Sequence, residues 1–279
     1  IYRHSEMAGF YSFGLFQMGE RSINYISANI DKLIIGKLLG MQVVGFYDMA
    51  WRLIIFPLQK INPIVMKVAF PVYAKVQNDA AALNSYYSFN VKALSIVTVP
   101  LLAFLSFFSH DVVRVVFGPA WDKTASLVSV LAFVGILRAL GNPGGAIILA
   151  LGRADVGFWW NLAWVSVISI SMFTMLHLVP RVEVAAYTLL GLSLTVGMVW
   201  HYLIAKIAKL KYWPIARHFG ILILVTFAIG WFGYVTVNLL AIEYALFRLV
   251  AGGVAFALLY AMFVFIFQKE VLKHLKKMG

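Results

Sequence analysis

No cysteine occurs among the 279 residues, which excludes disulfide frameworks, thiolate nucleophiles and cysteine-held metals. Charge is almost as scarce: Asp, Glu, Lys and Arg make up 12% of the chain, against about 25% in soluble domains. Acidic residues are the rarest, 11 against 23 basic ones. The 6 histidines are scattered. There is no HExxH, no glycine loop ending in Lys-Ser or Lys-Thr, and no GxSxG elbow, so the sequence supports neither hydrolytic nor ATP-driven chemistry. It therefore names no catalytic residue, metal ligand or cofactor.

Apolar residues fill the chain instead. They reach 62%, and the mean hydropathy is +0.88. A hydrocarbon core of about 30 Å needs about 20 apolar residues in a helix, and such stretches follow one another here. The expected fold is an all-α polytopic transmembrane helix bundle of about eight spans. They run over roughly 8–38, 42–70, 86–108, 124–150, 156–179, 184–206, 217–240 and 244–267. The breaks carry turn residues: Gly36 and Gly40, Pro71 to Asp79, Gly118-Pro119, Gly152-Arg153, Pro180-Arg181, Pro214 and Glu243. Between the third and fourth spans, Ser109 to Lys123 predicts a short interfacial helix on the external side. Trp159, Trp160, Trp164, Trp200, Trp213 and Trp231 lie near span ends, as an aromatic belt would.

A formal charge of +12 can signal nucleic acid, but these cations gather at the ends of apolar runs, where they orient helices. One side collects Arg3, Lys75, Lys92, Arg153, Lys206, Lys209, Lys211, Arg217, Lys269, Lys273, Lys276 and Lys277; the other has Lys37, Arg114, Lys123, Arg181 and Arg248. The excess places both ends of the chain in the cytoplasm. The chain opens at Ile1 without a signal-peptide core, and further sequence is expected to precede it.

Polarity enters the bilayer in the early spans. Gln17, Glu20, Arg21, Asn24, Ser27, Asp31 and Lys32 recur at helical spacing along one stripe. Asp48, Arg52, Gln59, Lys60, Asn62 and Lys67 cover one sector of the second span. Arg138 precedes Asn142 by one turn, and Gly141-Asn142-Pro143-Gly144-Gly145 predicts a break within the fourth span. Pro57, Pro63 and Pro100 predict kinks. An embedded ion costs about 2.5–3.5 kcal/mol, so each of these needs a reason. One reason is glue between helices, with Asp48 neutralising Arg52 and Glu20 neutralising Lys32. The count points elsewhere: Arg21, Lys32, Arg52, Lys60, Lys67 and Arg138 outnumber Glu20, Asp31 and Asp48. A cavity with surplus positive charge suits an anion, above all phosphate. The later spans carry almost no embedded charge, and the last two offer either packing surface or an apolar groove for a lipid tail.

Several runs carry a family resemblance. The stretch Asn29-Ile30-Asp31-Lys32, with Ile35, Gly36, Leu39, Gly40, Val44-Gly45-Phe46-Tyr47 and Ala50, resembles the opening of the second half of Wzx-type polysaccharide flippases. These belong to the multidrug, oligosaccharidyl-lipid and polysaccharide exporter superfamily. Pro57 to Pro63 leading to Phe70-Pro71 and Ala74 to Asp79, Val116-Phe117-Gly118 with Trp121, and Leu137 to Pro143 extend the likeness toward the colanic acid exporter branch.

The resemblance implies a MATE-like flippase of two six-helix lobes. Residues 1–206 would form the second lobe and residues 207–279 two additional helices with a basic cytoplasmic tail, the first lobe being absent. It implies a non-enzymatic protein of the bacterial inner membrane that moves undecaprenyl-pyrophosphate-linked oligosaccharide to the periplasmic leaflet. On this reading Arg21, Asn24, Arg52, Lys60, Arg138 and Asn142 bind substrate, and Glu20, Asp31 or Asp48 couple an ion. The partners are the bilayer, the lipid-linked oligosaccharide and the missing lobe. The rival readings are a drug or cation antiporter, which would need carboxylates in excess, and a membrane enzyme acting on lipid-linked sugars, which would need a large catalytic loop.

Overall fold

A computed structural model describes residues 4–240 and 242–268. Among these the chain forms ten α-helices and no strand. They are α1 (His4–Ser27), α2 (Ile30–Leu39), α3 (Met41–Lys75), α4 (Ala80–Phe107), α5 (Ser109–Phe117), α6 (Asp122–Ala150), α7 (Ala154–Leu178), α8 (Val182–Ile207), α9 (Tyr212–Leu239) and α10 (Ala245–Phe267), with a 3-10 turn at Pro119–Trp121. Six stretches, α4, the turn with α6, and α7 to α10, are long and apolar enough to cross a bilayer. The protein is a multi-pass all-α membrane protein. The basic flanks Arg3, Lys269, Lys273, Lys276 and Lys277 lie outside the described residues.

Side-chain chemistry sets the helix ends. Asp79 Oδ1 accepts the backbone N–H groups of Ala81 and Ala82, each at 3.0 Å, and so caps α4. Gly118 closes α5 at φ 86°, a conformation open to glycine at no steric cost. Arg114 then reaches Asp122 with two hydrogen bonds of 3.0 Å, pinning the turn into α6. Arg153 holds Asp155 at 2.9 Å through two nitrogens at the start of α7. After α8, Lys209 takes a left-handed φ of 53°, and the Leu210 N–H bonds back to the Ala205 carbonyl at 2.9 Å.

Two sequence expectations are corrected. The first span is not continuous: α1 stops at Ser27 and α2 starts at Ile30. The Asn29 amide donates to the Tyr25 carbonyl at 2.9 Å, occupying a group the helix would otherwise use. The polar stripe is thereby divided, with Gln17, Glu20, Arg21, Asn24 and Ser27 on α1 and Asp31 and Lys32 on α2. Conversely, Gly141 to Gly145 does not break α6, which runs on through Pro143. Proline removes one ladder bond only, and the neighbouring Gly141 carbonyl gains a bond from the Trp200 indole at 3.3 Å. Glycine also lets α8 come close, since a Cβ on Gly144 would strike Ile204.

The chain forms two compact units, residues 1–45, 66–87 and 141–210, and residues 46–65, 88–140 and 211–279. Helices α3, α4 and α6 each give a portion to both. In the first unit α1 packs on α7, with Phe16 edge-on to Phe158 at 5.5 Å. In the second, Phe108, Val112 and Val237 centre a cluster with Phe104, Phe107 and Tyr234. Gly135 of α6 sits where a Cβ would meet Ile54 at 2.6 Å and Leu102 at 3.1 Å, which brings α3, α4 and α6 together at small-residue contacts.

Candidate functional site

The polar sector of α3 is uncovered by protein. Arg52, Gln59, Lys60 and Lys67 are exposed, whereas Tyr47, Ala50, Trp51, Ile54 and Leu58 of the same helix are buried. The periodicity of the sequence therefore separates the two faces as expected; the side chain of Asn62 lies outside the description. Arg52 Nε donates to Asp48 Oδ2 at 2.7 Å, one turn earlier, yet the Arg52 side chain stays 72% exposed. Only Nε is used in that bond, so the two terminal nitrogens can still grip an anion.

Next to Arg52, Trp51 offers its ring to Arg138 of α6, whose guanidinium carbon lies 4.7 Å from the ring centroid. A guanidinium over an indole face is attracted by the ring's negative quadrupole. The second unit thus brings Asp48, Trp51, Arg52 and Arg138 into one locus. Trp51 was not singled out from sequence. Its role depends on a contact between α3 and α6, and nothing in the local pattern marks it.

In the first unit Arg21, Asn24 and Asn142 are exposed. Glu20 is half-buried and accepts from the Asn161 amide at 3.3 Å, rather than pairing with Lys32. The approach is close because position 157 is glycine: a Cβ there would lie 2.9 Å from the carboxyl atoms. Asp31 is buried, and its carboxylate accepts the Lys32 backbone N–H at 2.8 Å. The three carboxylates therefore differ: Asp48 is ion-paired, Asp31 is buried and Glu20 is held by a neutral amide. Asn161 and Gly157 went unrecognised in sequence, more than a hundred residues from the carboxylate they contact.

Two further features complete the picture. Trp160 and Trp200 pack at 4.8 Å between centroids, so these two belong to a helix contact, while Trp159, Trp213 and Trp231 are exposed as belt residues would be. In the second unit α4 and α10 flank an apolar groove of about 680 Å³, lined by Pro100, Phe104, Phe256 and Tyr260 among others. The Tyr260 hydroxyl donates to the Ile96 carbonyl at 2.7 Å across it. Among the described residues, no group of three or more His, Asp or Glu side chains is arranged for a metal ion.

Residues 2–126, which run from α1 to the start of α6, match the family described as polysaccharide biosynthesis protein. The teichuronic acid biosynthesis protein TuaB of Bacillus subtilis (strain 168) is 36% identical over 206 residues, 74% of this chain and 42% of its own. The lipopolysaccharide biosynthesis protein WzxC of Escherichia coli (strain K12) is 33% identical over 150 residues, 54% of this chain and 30% of its own. These matches support the resemblance to the Wzx-type group that the sequence carries. Another relative of this group, the amylovoran biosynthesis protein AmsL of Erwinia amylovora, is 30% identical over 212 residues, 75% of this chain and 54% of its own. The chain spans about half or less of the length of these curated relatives. No solved structure matches it. The match to WzxC fits the branch that the sequence resembles.

Proposed function

We propose that this chain is part of a transporter that carries undecaprenyl-pyrophosphate-linked oligosaccharide from the cytoplasmic to the periplasmic leaflet by alternating access. The observation that carries the reading is the exposed cationic face of α3. Arg52, Lys60 and Lys67 stand uncovered on a helix whose opposite side is buried, in a chain that otherwise avoids charge. Holding such groups out of water is costly, and a doubly phosphorylated headgroup would offset that cost through charge-assisted hydrogen bonds.

On this reading Arg52, Lys60 and Arg138 of the second unit grip the pyrophosphate, and Arg21, Asn24 and Asn142 of the first unit address the same class of ligand. The sugars travel in water, the polyprenyl tail stays in lipid, and no bond is broken. Glu20, Asp31 or Asp48 would couple the movement to an ion. Residues 1–206 would act as one lobe opposite six further helices, in the bacterial inner membrane with both ends of the chain cytoplasmic.

Arg52→Ala and Arg138→Ala, made singly in the full-length protein, test the assignment by export of polymer in cells and by headgroup translocation in reconstituted vesicles. Loss of both activities is expected, with partial retention in Arg52→Lys, which keeps the charge without the fork. Normal export from both alanine variants would remove the two arginines from the mechanism.

A further inference from the structure

In the second unit, two nitrogen-bearing side chains from different helices lie near each other, with a third next to one of them in sequence. His218 of α9 lies within electrostatic range of the Lys92 ammonium of α4. Arg217, the preceding residue, is exposed. None of the ion pairs among the described residues includes Lys92, Arg217 or His218, and the His218 Nε2 atom is buried without a hydrogen-bond partner. Like charges placed together repel, and a buried imidazole nitrogen left unpaired costs free energy. An anion from outside the chain would resolve both.

The position in the helices says which anion. No charged residue occurs from Ala93 to Ser109 after Lys92, or from Phe219 to Ile242 after His218. Both helices therefore enter hydrocarbon just beyond these residues, at the same boundary. The helices remain neighbours inside it, where Phe107 of α4 packs at a tilt against Phe227 of α9 at 5.4 Å between centroids and a Cβ on Gly230 would strike Phe107. Trp213, one turn before Arg217, is 78% exposed, as a side chain anchored among headgroups would be. The phosphates of a bilayer lie at this depth.

We propose that Lys92, Arg217 and His218 form a binding site for the phosphate of an anionic membrane phospholipid, seated where α4 and α9 leave the hydrocarbon. The site uses none of the residues assigned to the transported ligand and takes a resident lipid. Its occupancy can be read whether or not the protein translocates anything.

The test is native mass spectrometry of the full chain purified in neutral detergent, titrated with phosphatidylglycerol or with phosphatidylcholine of the same acyl chains. Phosphatidylglycerol should be retained preferentially. Lys92→Gln with Arg217→Gln should weaken that retention by on the order of thirtyfold, given what each cation near a membrane surface contributes. Lys92→Arg with Arg217→Lys should restore it, which separates loss of charge from loss of fold. Lys206→Gln with Lys209→Gln, in the other unit, should leave it unchanged. Equal retention of the two lipids, or full retention by the glutamine pair, would overturn the site. Displacement of phosphatidylglycerol by inorganic phosphate would overturn the lipid assignment in favour of a soluble anion.

Discussion

The guanidinium of Arg138 rests on the indole of Trp51, 4.7 Å from the ring centroid, and so joins α6 to α3 beside the exposed Arg52. A cation on an aromatic face away from bulk water contributes about 0.5–2 kcal/mol. A double-mutant cycle of Trp51→Leu and Arg138→Leu, followed by thermal unfolding in detergent, should give a coupling energy in that range. Additive effects would mean that the two side chains are neighbours without being partners.

Arg248 is the hub of a second polar contact. Its Nε donates to Asp111 Oδ1 at 2.9 Å and its terminal nitrogen to Asn238 Oδ1 at 2.8 Å, linking α5, α9 and α10. Both members of the ion pair are largely covered, so removal of one strands the other. Asp111→Asn should destabilise the protein by about 1.5–3 kcal/mol, the range for hydrogen bonds to charged groups. Arg248→Lys should recover only part, because an ammonium cannot span both acceptors in the geometry of the fork. Unfolding midpoints of the three proteins in one detergent decide the order.

Two adjacent glycines of α6 should respond oppositely. A methyl group on Gly144 would strike Ile204 of α8, whereas one on Gly145 meets nothing within 4 Å. Gly144→Ala should lower stability by about 1–3 kcal/mol through overpacking. Gly145→Ala should be neutral or slightly stabilising, since alanine is the better helix former. A similar loss from both would show that the α6–α8 contact does not depend on the small residue.

How much of this could be read from residues alone varied with the range of the interaction. Apolar length identified α4 and α6 to α10, because crossing hydrocarbon imposes a pattern on each helix independently. Spacing also separated the two faces of α3, and the i,i+4 pair of Asp48 and Arg52 was visible in the sequence. The break at Asn29 was hidden, since it depends on one amide taking one carbonyl. Pro143 pointed the other way: its signal for a break was strong, but the helix runs on, and Trp200, 59 residues after Gly141, bonds the Gly141 carbonyl beside it. Asn161 opposite Glu20 and Asp111 opposite Arg248 are likewise pairings that only the folded chain brings together.

Lys209 offers a test of local strain. It is the one non-glycine residue with positive φ among the described residues, and a side chain there costs roughly 1–2 kcal/mol that glycine avoids. Lys209→Gly should raise the unfolding midpoint, and Lys209→Val should lower it because of the branched Cβ. A midpoint unchanged by either substitution would show that the connection relaxes without cost.

The 35 residues of α3 give a rod of about 52 Å at 1.5 Å per residue. To hide it all within about 30 Å of hydrocarbon would take a lean of about 55°, beyond the 0–40° that membrane helices adopt. At least one tip of this rod consequently emerges from the acyl region into headgroups or water. The row of cations borne along it thus samples a gradient of polarity, from the acyl region out toward solvent.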